Sequence, residues 1–156
     1  MNFMNANKLT QIMKTSIIIL ACIVYCSAYG QSVKENSHAI DPTHPDVVWS
    51  PAPPAFAGCS ITILNGELGK PRLDFFFRIE SNTDVVRHTH NSAERMILVQ
   101  GNLEVQYDGE DATVLKPGMY AYGPAKKPHR AKCLSTDPCI LFVAMNEPFS
   151  AEALSD

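Results

Sequence analysis

Between residues 56 and 149 the chain falls into short runs of β-branched and aromatic residues separated by turn formers. SITILN (60–65) and LDFFFRIE (73–80) come first. Such side chains pack well on a pleated surface, so these runs predict strands. RMILVQGNLEVQY (95–107) reads as two strands around Gly101-Asn102, a pair suited to a tight hairpin. DATVL (111–115), MYAYG (119–123), HRAKC (129–133) and CILFVAM (139–145) complete the series. Downstream of residue 30 there is no convincing amphipathic helical period, so the pattern predicts an all-β domain. Only AEALSD, at residues 151–156, predicts a helical turn.

The N-terminal end follows another pattern. Lys8 and Lys14 precede an apolar run, SIIILACIVYCSAYG at residues 16–30, which exits through the small residues Ala28 and Gly30. A basic start, an apolar middle and a small-residue exit predict a secretory signal peptide over residues 1–30, cleaved before Gln31. The run is shorter than the about 20 apolar residues of a transmembrane helix. The expected product is therefore secreted or periplasmic, with no membrane attachment after cleavage. Lipidation at Cys22 and an uncleaved anchor are the alternatives, and Met13 is a second sensible start beside Met1. Residues 31–55 read as an arm punctuated by Pro42, Pro45, Pro51, Pro53 and Pro54. Trp49, the single tryptophan, is expected to pack that arm on the domain or on a second subunit.

Charge narrows the partners. The net charge of the whole chain is −3, and residues 1–30 carry two lysines and no acids, so their removal leaves −5. An acidic domain without a basic stripe argues against nucleic acid. Three cysteines remain: Cys59, Cys133 and Cys139. The last two flank LSTDP, a turn-forming stretch, so an antiparallel hairpin would bring them within disulfide reach in an oxidising compartment. Alternatively Cys133 points inward as a small apolar residue. Cys59 reads as a buried strand thiol.

The candidate chemistry lies in HTHNSAERMILVQG, residues 88–101. His88 and His90 are one residue apart, so on a strand they face the same side. Glu94 follows after a short bend, and His129 sits in a second segment punctuated by glycine and proline. Three neutral imidazoles and a carboxylate form a mixed N/O site suited to Fe, Mn, Ni or Zn. A metal would satisfy four groups that are costly to bury alone. His38 and His44 lie in a polar, proline-containing stretch and read as solvated.

HxHxxxExxxxxxG, from His88 to Gly101, resembles motif 1 of the cupin family residue for residue, and Gly118, Pro124 and His129 stand where its motif 2 would place them. The resemblance covers roughly residues 56–149. It departs from the family pattern at Asn82 and Lys126, where cupins usually have glycine, and at Cys133, where they have asparagine. No ligand position is affected. The resemblance implies a jelly-roll barrel (a double-stranded β-helix) over 56–149, a tail at 150–156, metal ligands His88, His90, Glu94 and His129, and a homodimer.

Open positions on such a metal would take a small-molecule substrate. Tyr120 and Tyr122 could supply a phenol for proton transfer. Met96 and Leu98 share the parity of Glu94 and would wall the pocket. Lys126, Lys127 and Arg130 could guide an anionic substrate, and Arg78 would need an anion if it faced inward. The expected function is a metal-dependent dioxygenase, lyase or isomerase of a small organic acid or sugar acid. The alternative is a non-catalytic metal- or ligand-binding barrel.

Overall fold

Strands whose side chains alternate between two faces bury one face each, and here two antiparallel sheets bury theirs against each other. The computed structural model describes residues 36–155; the signal-peptide reading of residues 1–30 lies outside them. The strands are β1 (Ser50–Pro51), β2 (Cys59–Asn65), β3 (Leu73–Ile79), β4 (Asp84–Thr89), β5 (Glu94–Gln100), β6 (Leu103–Tyr107), β7 (Thr113–Leu115), β8 (Tyr120–Gly123), β9 (His129–Cys133), β10 (Cys139–Met145) and β11 (Glu152–Ala153). One sheet runs β1-β2-β3-β10-β5-β8 and the other β11-β4-β9-β6-β7. The domain is an all-β jelly-roll barrel, and all eleven strands belong to one compact unit that begins at Ala39. Among the described residues no helix is long and apolar enough to cross a membrane.

The inward positions of β3, β5, β6 and β10 supply the core: Leu73, Ile79, Leu98, Leu103, Val143 and Met145 are all fully buried. Cys133 closes β9 and Cys139 opens β10, with Cα atoms 5.8 Å apart and their sulfurs paired as a disulfide. Cys59 is a free, buried thiol, and burial, helped by Glu80, pushes it up to about 11. It is therefore a protonated packing residue at neutral pH.

Two local features, the arm and the tail, differ from the strand pattern read off the sequence. Ser50 and Pro51 of the proline-rich arm pair with Ile61 and Ser60, so the arm contributes an edge strand. Trp49 places its ring 5.7 Å from the Arg78 guanidinium on the outer side of β3. Arg78 also pairs with Glu80 at 3.1 Å, so it does not face the interior. The tail forms no helical turn. Glu152 and Ala153 pair with Thr89 and His88, because the end of β4 would otherwise leave its backbone groups unpaired.

Candidate metal centre

A register irregularity makes the site possible. Val85 and His88 are both buried although three residues apart, which strict alternation forbids. The pairing of β4 with β9 shifts between them, re-aiming the strand so that His88 and then His90 face inward. His129 opens β9 directly opposite His88, and Tyr107 lies opposite His129 on its other side. Glu94 opens β5 after a bend held by Ser92, whose buried Oγ accepts hydrogen bonds from the Asn146 and Glu147 amides at 3.2 Å each.

The four predicted ligands meet. His88, His90 and His129 present ring nitrogens that all lie within 4.8 Å of one another. Glu94 Oε1 is 3.3 Å from His90 Nε2, and Oε2 is 3.4 Å from His129 Nε2. All four residues are at most 7% exposed. Each imidazole is also oriented from behind. The Nδ1 atoms of His88, His90 and His129 donate to the carbonyls of Val86, Ser150 and Lys127 at 2.7, 2.5 and 3.1 Å. These bonds hold the proton on Nδ1 and leave each Nε2 as a lone pair.

The consequence is electrostatic. With the imidazoles neutral, lone pairs face a carboxylate and no hydrogen lies among them; His90 Nε2 has no hydrogen-bond partner. Burial, aided by His129, pushes His88 down to about 4, so it is neutral near pH 7. Burial would raise Glu94, but a hydrogen bond donated by His129 and the positive charge of the neighbouring histidines outweigh it once those imidazoles take up a second proton. They then hold the carboxyl below its usual range; a proton is thus the alternative to a cation in this cluster. Buried acceptors without donors are costly, and a divalent cation satisfies all of them at once. The donor set therefore fits a borderline transition metal.

The other sequence-predicted residues fall elsewhere. Tyr120 and Tyr122 are 59% and 54% exposed. They pair with Ile97 and Arg95, whereas Glu94 and Met96 pair with Gly123 and Ala121, so both tyrosines stand on the outer face. The phenol at the site is Tyr107. Its ring lies 4.9 Å from that of His129, and its buried Oη has no hydrogen-bond partner. A side chain at Gly123 would put a Cβ 2.6 Å from that Oη and 3.3 Å from Glu94 Oε2, so glycine is required there. The parity of Leu103, Val105 and Tyr107 on β6 carried a signal for this residue.

Met96 and Leu98 belong to the core below the site. The cavity beside the ligands, about 50 Å³, is walled instead by aromatic residues including Phe56, Phe75, Phe77 and Phe149. Lys126 is exposed, Lys127 pairs with Glu110, and Arg130 binds Gln106 at 2.6 Å. None of the three lines that cavity.

Comparison with known proteins agrees with the barrel fold. The family described as Cupin domain matches residues 75–145. Over this span the barrel is similar to that family. No curated protein matches the sequence. Among solved structures, the polyketide cyclase RemF of Streptomyces resistomycificus is similar at 14% identity and a TM-score of 0.62, over 76% of this chain and 87% of that one. KdgF of Halomonas sp. is similar at 21% identity and a TM-score of 0.55, over 71% and 95%. A structure of the DMSP lyases RdDddP and RnDddQII gives 19% identity and a TM-score of 0.60 over 70% of this chain, which spans only 63% of that one. At these identities the likeness establishes the fold alone.

Proposed function

We propose that this protein is an exported, metal-dependent cupin enzyme that transforms a small oxygen-bearing metabolite. The observation that carries the reading is the convergence of three imidazole ring nitrogens and the Glu94 carboxylate in a buried site beside a cavity. His88, His90, Glu94 and His129 would hold the metal, which when bound supplies Lewis-acid or redox chemistry to a substrate oxygen. The protein's own part is orientation and water exclusion. Val86, Ser150 and Lys127 fix the imidazoles through their carbonyls, and Phe56 and Phe149 cover the inner face. Tyr107 offers an unpartnered hydroxyl beside Glu94. The substrate is an organic acid, held through its oxygens rather than by the basic loop residues. The buried Cys133–Cys139 pair supports an oxidising destination. A homodimer is part of the proposal, with Ile97, Val99, Tyr120 and Tyr122 forming an exposed apolar outer face.

The test is elemental analysis of protein purified without a tag or chelator, alongside His88→Ala and Glu94→Ala. Stoichiometric Fe, Mn, Ni or Zn that disappears in both variants is expected. A folded protein that neither holds nor takes up any of these metals would sink the reading.

A further inference from the structure

The cavity that reaches the ligands has an unusual division of labour. Its polar side chains are those of His88, His90 and Glu94; every other side chain lining it is apolar, chiefly Phe56, Ile61, Phe75, Phe77 and Phe149. No Lys, Arg, Ser, Thr, Asn or Gln lines it. The aromatic rings press on the ligands themselves. Phe56 meets His88 edge-on at 5.0 Å, Phe149 lies 6.2 Å from His90, and Phe75 meets Phe149 edge-on at 5.7 Å. A molecule seated here finds polar partners at one end only.

Resting on the metal reading above, we propose that the site selects a small acid with one oxygen-bearing head and a short apolar body, and rejects polyhydroxylated acids of the same length. The head is satisfied at the metal end, where the positive charge resides. The body replaces water against phenyl rings, which favours each added CH₂. A hydroxyl on that body loses its water hydrogen bonds and finds no side-chain donor or acceptor in the wall, a penalty of about tenfold in affinity for each such group. At about 50 Å³ the cavity has room for a body of one or two carbons beyond the head and none for a ring. The expected ligands are therefore short aliphatic 2-hydroxy or 2-oxo acids, and not sugar acids.

Two acids with an identical head separate this idea from the metal reading. Zinc-reconstituted protein is titrated calorimetrically with 2-hydroxybutanoate and with threonate, which carries two further hydroxyls on the same four-carbon chain. The expected result is binding of 2-hydroxybutanoate about 100-fold tighter, the product of two tenfold penalties. Phe77→Asn, which places an amide in the wall, should shrink that ratio to about tenfold or less. The wild-type comparison stands even if that variant folds poorly. Stoichiometric zinc with threonate bound as tightly or more tightly overturns the inference and leaves the metal site standing. Zinc bound with no uptake of either acid overturns it as well. Failure to bind zinc removes both readings together.

Discussion

The two ends of the barrel interior bury side chains equally deeply and on opposite terms. At one end Leu98, Leu103, Cys133 and Cys139 are 0% exposed and need nothing beyond one another. At the other His88, His90, Glu94 and His129 are 6–7% exposed and turn acceptors toward acceptors. The first end stabilises the fold by removing carbon and sulfur from water. The second is held open by the first: the sheets crowd three imidazoles around one carboxylate, and His90 Nε2 is left without a hydrogen-bond partner. Binding capacity is thus stored as local instability, which a cation relieves.

The sharpest way to break this contrast is to cut one side chain at each end. Leu98→Ala should cost about 3 kcal/mol or more, because the cavity it leaves is closed in on all sides. Glu94→Gln, at similar depth, should leave the stability of metal-free protein at neutral pH within about 1 kcal/mol of wild type, since the amide can donate to a neutral imidazole Nε2 that the carboxylate can only face. The same change should abolish metal uptake. Urea unfolding of chelator-treated proteins measures both. A Glu94→Gln loss as large as that of Leu98→Ala would mean the polar end is satisfied without metal.

Acid should strike the polar end first. His88 is pushed down to about 4 by burial, whereas in the unfolded chain it titrates near 6.5. Between those values the unfolded state holds a proton the folded state refuses, so metal-free protein loses stability as the pH falls, by about 3 kcal/mol across the window. The Glu94 carboxyl, held low, adds its own loss only below about pH 4.5. Denaturation midpoints of wild type and His88→Asn at pH 7 and pH 4.5 isolate the histidine. Parallel falls in the two proteins would count against it, and saturating zinc should flatten the wild-type curve.

How far these ends could be read in advance follows from the range of the forces involved. Strands and ligand spacing are local, so β9 and β10 are bounded at the same residues as HRAKC and CILFVAM, and the HxHxxxE pattern brought its three residues to one place. What depends on register was less legible. Tyr120 and Tyr122 lie outside and Tyr107 inside because β8 pairs with β5 in one register rather than the next, and one step reverses every side chain. The contacts of the tail were hidden by distance. Ser150 orients His90 across 60 residues, Phe149 walls the cavity, and no sequence period announces either. The tail reads locally as a helical turn; pairing with β4 overrides that weak propensity.

The disulfide tests the apolar end from another side. The bridge closes a short loop between residues six apart, for which loop-closure entropy gives about 2 kcal/mol. Cys133→Ala with Cys139→Ala should lower the stability by that amount plus a small packing loss, and leave metal stoichiometry unchanged. A double variant that also lost metal would show that the two ends are coupled through β9, which carries both Cys133 and His129.

The smallest effect concerns a loop at the polar end, where the sequence departs from the cupin motif it resembles. Lys126 occupies a position at which cupins usually carry glycine, and its backbone remains left-handed, with φ 63°. Asn82, at the other such position, has φ 54°. Asparagine tolerates that region through its short polar side chain, but lysine does not, so the strain at Lys126 is the larger. The strain persists because the loop is tied down: the Lys126 amide donates to the His90 carbonyl at 2.7 Å, fixing the backbone beside a ligand. Lys126→Gly removes the Cβ clash while keeping that amide, and the relief exceeds the entropy that glycine returns to the unfolded chain. A gain of about 0.5 kcal/mol is expected, readable as a small rise in Tm with unchanged metal affinity. A drop in metal affinity together with the gain would show that the left-handed lysine serves the site by stiffening the His90 backbone, and would move this loop from scaffold to binding machinery.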